Sequence, residues 1–201
     1  MKSDGKEFNH TELFEDFPEL TEASVVFEKE VFAHFGLLFS AYGNLEAALQ
    51  LCYVFSNLKK ELSEKIISNQ DEWESRYDFH ERKAFGATFG TLLKLVGELS
   101  ELAPHQDELV RLKRIRDYFA HHFFREENGK LHTGEAMLFL MAKMNHLRKE
   151  VRAMHEICDE VQMNMFLAIY PNSEGRFHQE LQKLKYEAEL NPTLTVGWDE
   201  Q

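Results

Sequence analysis

Apolar residues recur at helical spacing through four long segments of this 201-residue chain. The segments cover residues 25–54, 82–102, 106–124 and 133–167, where Phe, Leu, Met or Val returns every three or four positions. No run of useful length alternates apolar and polar residues in the way that a half-buried strand does. Only four prolines and ten glycines interrupt the chain. These patterns predict an all-α fold.

The same patterns predict one helical domain between two polar segments. Residues 1–21 are acidic and weakly periodic, which is typical of a tail. Thr21 has the character of a helix N-cap, so we expect the helical domain to cover residues 22–170. Residues 171–201 begin with a proline-containing turn. A short helix over residues 176–190 is predicted there, followed by a polar tail.

Charge is distributed unevenly along the chain. The formal net charge is -12, which argues against a protein that coats nucleic acid, because such binding depends on a basic surface. Residues 111–125, however, hold five basic residues and one acid. The sequence therefore allows a local anion-binding patch on an acidic body.

Location and redox state follow from two further observations. No stretch has the roughly 18 apolar residues that a membrane-spanning helix needs, and the first residues lack the apolar core of a signal peptide. We therefore expect a soluble, cytoplasmic protein that does not bind a membrane. Cys52 and Cys158 both lie in helical apolar patterns, which predicts buried free thiols rather than a disulfide framework.

One short run, Arg-Asp-Tyr-Phe-Ala-His at residues 116–121, carries groups that handle phosphate. The planar guanidinium of Arg116 matches phosphate oxygens, and His121 exchanges protons near neutral pH. Asp117 lies four residues before His121, where its carboxylate is placed to orient the imidazole. These roles suffice for metal-independent RNA cleavage by attack of a ribose 2'-hydroxyl on the adjacent phosphate.

The spacing of the run presents a geometric difficulty. Five residues at about 100° each place Arg116 and His121 roughly 140° apart around a straight helix. Three solutions remain open: the helix bends or ends between them, the long Arg116 side chain wraps around, or two copies of the chain pool their residues.

The run and its setting resemble a known family. Arg116, a polar residue, a spacer and His121 are similar to the Arg-polar-spacer-His motif of the HEPN superfamily, including Ala120 before the histidine. Weaker similarities are Phe35-Gly36 and Leu45-Glu46 in the first helical segment and Phe89-Gly90 in the second. The resemblance covers about residues 24–168.

The resemblance implies an up-and-down four-helix bundle, here with extra short helices, that forms a homodimer through the motif helix. Many members are metal-independent ribonucleases of toxin-antitoxin, antiviral or RNA-processing systems, whereas others are not catalytic. In one branch, whose antitoxin partner is a nucleotidyltransferase, a tyrosine stands two residues after the histidine. This chain has Phe123 at that position.

Several residues of the basic stretch have a functional and a structural interpretation. Contacts with RNA are one interpretation, and a solvated helix face is the other. His122 falls near the apolar stripe of the helix, which favours a core or interface position over a catalytic one. The candidate RNA-binding residues are Arg111, Lys113, Arg114, His122 and Arg125.

The ten histidines suggest a metal site, but their spacing does not support one. A di-iron helical bundle needs two Glu-x-x-His pairs, and the chain has one, at Glu7 and His10 in the acidic tail. No His-Glu-x-x-His or Cys-x-x-Cys motif is present. We expect neither a metal nor another cofactor.

These observations predict a homodimeric, HEPN-like protein that binds or cleaves single-stranded RNA. Arg116 is expected to stabilise the phosphate and the transition state, His121 to act as general acid or base, and Asp117 to orient His121. An antitoxin protein is a further expected partner. The alternative is a non-catalytic helical module that binds a protein or regulates one.

Overall fold

The computed structural model describes residues 26–170, which form six α-helices and two 3₁₀ turns without a β-strand. The all-α prediction is therefore confirmed. The 3₁₀ turns are Ala103–His105 and Asn128–His132. The helices are α1 (Val26–Ser63), α2 (Gln70–Phe85), α3 (Phe89–Val96), α4 (Gln106–His121), α5 (Phe123–Glu127) and α6 (Gly134–Ile169).

The two longest helices, α1 and α6, run in the same direction and share the most extensive contact in the fold. The Cys52 thiol of α1 lies 3.2 Å from the carbonyl oxygen of Cys158 in α6. One turn further along α1, the Phe55 ring meets the Phe166 ring at 5.5 Å. The residue numbers of the contacting pairs increase together along α1 and α6, so the two helices are parallel. The four longer helices therefore do not simply alternate in direction.

Helix α4 packs antiparallel against α1. The Tyr42 hydroxyl of α1 donates a hydrogen bond to the Leu112 carbonyl at 3.1 Å, and the Phe35 ring lies 6.2 Å from the Phe119 ring. Burial raises the pKa of Tyr42 well above its usual value, in agreement with its enclosed position. The apolar stripe that the sequence predicts for α4 therefore faces the core, with Leu109 fully buried.

The second predicted helix, residues 82–102, is two helices in the structure. Helix α2 ends at Phe85, and α3 begins at Phe89. Thr88 caps α3, because its hydroxyl accepts a hydrogen bond from the backbone N–H of Thr91 at 3.3 Å. Gly86 ends α2 in a close turn, where an added Cβ would lie 3.0 Å from the Arg82 carbonyl. For residues 59–72 the sequence predicts either an extension of the first helix or a short connecting helix. In the structure residues 59–63 extend α1, and α2 begins at Gln70.

The third predicted helix is shorter than expected. Helix α4 ends at His121, and His122 leaves the helical conformation with a φ of -125° before α5 begins. This turn directs Phe123 inward, and its ring stacks on Phe119 at 4.9 Å. Burial of the aromatic ring therefore favours the break over a continuous helix.

The start of the last helix agrees with the sequence. The Thr133 side chain accepts a hydrogen bond from the Ala136 backbone N–H at 3.4 Å, as expected of the N-cap of α6. The predicted tail over residues 1–21, the cap at Thr21 and the short helix over residues 176–190 lie outside the described residues.

Both cysteines are fully buried and free, as the sequence predicts. Burial raises the pKa of the Cys158 thiol to about 12 and that of Cys52 further. Neither thiol is therefore ionised near neutral pH.

A buried ionic cluster joins α1 to α2. The Glu61 carboxylate accepts a hydrogen bond from Arg76 Nε at 2.9 Å and lies 3.0 Å from His80 Nε2. His80 and Glu61 are both buried, and Arg76 is partly exposed. The carboxylate thus satisfies two partners on α2 and fixes that helix against α1.

We expect Glu61→Gln to reduce the dependence of stability on acid pH. The Arg76 hydrogen bond, helped by His80, holds the pKa of Glu61 below its usual value of 4.5. The ionised carboxylate therefore stabilises the fold above about pH 4.5, and that stabilisation is lost as the pH falls through the lower folded-state pKa. In urea unfolding at pH 7 the variant should lose about 1 to 3 kcal/mol.

The same titration at lower pH provides the check. The difference between the variant and the wild type should shrink as the pH is lowered, because the wild-type carboxylate becomes protonated. A difference that stays constant from pH 7 to pH 3 would contradict the proposed role of the ionised carboxylate.

Candidate functional site

Arg116 lines an open cleft between α4 and the N-terminal turn of α3. The cleft has a volume of about 410 Å³. Its α3 side ends with Lys94, and the Arg116 side chain is about one-third exposed. Two further residues of α4, Lys113 and Asp117, complete the wall. Thr88, Phe89, Gly90 and Thr91 line the remainder. We call this the Arg116 cleft.

Asp117 interacts with two basic side chains of the Arg116 cleft. Its carboxylate forms an ion pair with the Lys113 ammonium, four residues earlier on α4, and lies 3.6 Å from Arg116. Gly90 permits this arrangement, because an added Cβ there would lie 2.8 Å from the Lys113 side chain. The cleft therefore presents three cations around one carboxylate.

His121 does not line the Arg116 cleft. It is the last residue of α4 and is exposed, and its side chain makes no hydrogen bond or ion pair within residues 26–170. Helix α4 runs unbroken from Arg116 to His121, so the helix does not end between them. In the single chain the Asp117 carboxylate pairs with Lys113 and makes no hydrogen bond or ion pair with His121, so its role in orienting His121 stays a prediction.

The predicted RNA-binding residue Arg111 is occupied within the chain. Its guanidinium donates hydrogen bonds to Glu108 at 2.7 and 2.6 Å and to Glu150 at 2.8 Å. These bonds raise its pKa, with the Glu108 bond the largest cause. Arg111 therefore joins α4 to α6, and in this structure its guanidinium is engaged by two carboxylates. Arg114, by contrast, is exposed and makes no ion pair among the described residues.

His122 is exposed in the single chain, which corrects the core position that the sequence favours, whereas the interface position stays a prediction. The break after α4 turns it out of the apolar stripe, and its ring stacks against Tyr118 at 6.4 Å. It contacts Arg125 and lies 3.4 Å from Glu126. Arg125, also exposed, lies 3.5 Å from the same carboxylate. The two predicted RNA-binding residues thus share one acid.

Sequence reasoning missed the lysines that other helices bring to the site. Lys94 of α3 lines both the Arg116 cleft and a second cleft of about 470 Å³, which also contains Lys60 of α1 and Lys83 of α2. No spacing rule relates residues of three separate helices. The nearest signal was Phe89-Gly90, which marks the turn of α3 that faces Lys113.

Searches for a metal centre and a membrane span give negative findings for the described part of the chain. Within residues 26–170, no three His, Cys, Asp or Glu side chains are grouped so as to hold a metal ion. No helix in that range is both long enough and apolar enough to cross a bilayer.

The chain was compared with family models, curated proteins and solved structures. Nothing matches in any of the three comparisons.

Proposed function

We propose that the chain is a HEPN-like RNA-binding protein that cleaves single-stranded RNA without a metal ion when two copies meet through α4. The observation that carries this proposal is the Arg116 cleft, where Arg116 remains open to solvent beside Lys113 and Lys94. Concentrated positive charge in a concave site on an acidic protein favours a phosphate-bearing ligand.

The proposed chemistry uses the motif residues in separate roles. His121 removes the proton from a ribose 2'-hydroxyl, and the oxygen attacks the adjacent phosphorus. Arg116 stabilises the negative charge that develops on the phosphate oxygens. The bond to the 5'-oxygen breaks and that oxygen takes up the proton that His121 had removed, which leaves a 2',3'-cyclic phosphate and a 5'-hydroxyl. Asp117 positions Lys113 and Arg116 in this scheme.

The single chain argues for a shared active site. His121 lies outside the Arg116 cleft, and the helix between the two residues is continuous. A two-fold axis beside α4 would bring His121 of one protomer to Arg116 of its partner, since a symmetric dimer repeats the same contact twice. Catalysis in this proposal therefore requires the homodimer.

An antitoxin protein is part of the proposal, because a ribonuclease of this class requires restraint in its own cell. The position that carries a tyrosine in the branch modified by a nucleotidyltransferase holds Phe123, which is 1% exposed and has no hydroxyl. Restraint by modification of that residue is therefore excluded, and we favour restraint by direct binding.

RNA cleavage in excess EDTA tests the proposal. We expect the wild-type protein to cut single-stranded RNA and to leave cyclic phosphate ends, and both Arg116→Ala and His121→Ala to lose about 10²- to 10⁴-fold in rate. Gel analysis of end-labelled RNA measures both. Equal activity in all three proteins would refute catalysis by these residues.

The second candidate function is a non-catalytic protein-binding module. Its support is a pair of exposed aromatic rings, Phe32 and Phe124, which stack at 5.2 Å and are 52% and 37% exposed. Exposed rings of this kind are enriched where proteins meet. If the wild-type protein neither cuts nor binds any of the RNAs tested, that result would favour a protein-binding function.

A further inference from the structure

A second basic cleft adjoins the Arg116 cleft and uses residues that the proposed reaction does not need. Its volume is about 470 Å³, and it lies where the C-terminal ends of α1, α2 and α3 meet. Lys60, Lys83 and Lys94 line it, one from each helix. We call it the lysine cleft.

The three lysines have no carboxylate partner among the described residues. Within residues 26–170 none of them forms an ion pair, although the chain is strongly acidic and pairs other cations such as Arg76 and Arg111. Lys83 lies over the Tyr53 ring at 5.5 Å, which directs its ammonium along the cleft wall.

Each lysine lies in the last turn of its helix, where a cation interacts favourably with the helix dipole. This interaction accounts for a lysine at each helix end taken singly. It does not account for the convergence of all three on one cleft, since like charges repel one another at short range. Neutralisation by an anion removes that cost.

The two clefts are neighbours, because Lys94 lines both. A third cleft of about 330 Å³ lies on the other side and shares Ser56, Lys60 and Glu98 with the lysine cleft, but its two lysines, Lys59 and Lys60, are balanced by Glu98 and Glu101. The path of cations therefore runs from Arg116 through Lys94 to Lys60. A single phosphate occupies one cleft only, whereas a linear polyanion follows the whole path.

We propose that the lysine cleft binds the sugar-phosphate backbone of single-stranded RNA and leads the strand to the Arg116 cleft. This inference rests on the proposed function and deepens it. A single strand bends to follow a concave path, whereas an A-form duplex is a rigid, wide rod. Glu98 also lines the cleft and opposes binding through its negative charge.

The test measures affinity and its dependence on salt. The parent protein is the full chain carrying His121→Ala, which cannot cleave the ligand in the proposed mechanism. Its binding to a fluorescent uridine oligonucleotide of about 20 nucleotides is measured by fluorescence anisotropy. Adding Lys60→Gln, Lys83→Gln and Lys94→Gln should raise Kd tenfold or more at physiological salt. The slope of log K against log salt should flatten by about 2, because each phosphate contact with a single strand contributes about 0.7.

A matched control changes the same number of charges elsewhere. Lys29→Gln, Lys65→Gln and Lys149→Gln replace lysines that line none of these three clefts, so Kd should stay within about twofold of the parent. Glu98→Gln should tighten binding. Thermal unfolding shows whether each variant is folded.

The outcomes separate the two proposals. If RNA binds, Arg116→Ala weakens binding, and the cleft and control triple variants behave alike, the lysine cleft is refuted while the proposed function stands. If the parent protein binds no RNA at physiological or low salt, the proposed function is refuted and the lysine cleft with it.

Discussion

We expect an equal mixture of Arg116→Ala and His121→Ala proteins to cleave RNA although neither variant does so alone. If Arg116 of one protomer works with His121 of its partner, a mixed dimer contains one intact active site and one that lacks both residues. Half of the dimers are mixed after random exchange, so the rate should recover to about a quarter of the wild-type rate.

The physical reason lies in the unbroken helix between the two residues. On one protomer Arg116 lines its cleft, whereas His121 is exposed outside that cleft. In the proposed dimer each active site therefore takes its arginine from one chain and its histidine from the other. Two variants that each lack one of these residues therefore restore one complete active site when they form a mixed dimer. The recovered rate should rise and fall with the fraction of mixed dimers.

The controls for this experiment are built from the same variants. A mixture of Arg116→Ala with the double variant Arg116→Ala, His121→Ala contains no intact pair and should stay inactive. Subunit exchange is confirmed with two different affinity tags. Mixed dimers that form and remain inactive, beside an active wild type, would contradict a site assembled from one residue of each protomer.

The largest expected effect on stability is that of Phe119→Ala. Phe119 is 2% exposed, and its ring lies 4.9 Å from Phe123 and 5.6 Å from Tyr118. Removing the ring deletes its contacts and leaves a cavity between α4 and α1, so the free energy of unfolding should fall by about 3 to 5 kcal/mol. Urea denaturation followed by circular dichroism measures the change.

Phe124→Ala is the matched control. This phenylalanine is five residues further along the chain and is 37% exposed, so the same atoms are removed with much less loss of buried surface. The expected cost is about 1 kcal/mol. Similar losses for the two variants would show that Phe119 does not anchor α4 to the core.

Features encoded in a few adjacent residues could be predicted from the sequence. Thr133 begins α6 because a threonine hydroxyl bonds the nearby backbone N–H, a contact that needs no other part of the fold. The buried stripe of α4 was also predictable, since Leu109, Leu112 and Phe119 return at helical spacing.

Features decided by competing local signals were not predicted. Phe85 and Phe89 stand four residues apart and suggest one helical stripe, but Phe85 is 52% exposed and belongs to a helix that ends there. The glycine at 86 and the cap at Thr88 override the apolar pattern. Asp117 similarly had two partners at helical spacing, and the charged Lys113 is the one that it contacts.

The candidate site itself needed the tertiary structure. Spacing places Arg116 on a helix but does not show that Lys94 lies across a cleft from it, because that contact depends on how α3 packs against α4. The same holds for Arg111, whose partner Glu150 is 39 residues away. Sequence periodicity does not report such pairings.

The break between α2 and α3 influences the shape of the lysine cleft but lies away from the main core contact of the fold. Lys83 and Lys94 lie on opposite sides of residues 86–88, so this three-residue turn sets the angle between their helices and with it the width of the lysine cleft. The main core contact, between α1 and α6, lies elsewhere. Substitutions in the turn should therefore alter ligand preference through the geometry of the lysine cleft while the α1–α6 contact stays in place, which makes this turn a site where related sequences can diverge in specificity while retaining the same architecture.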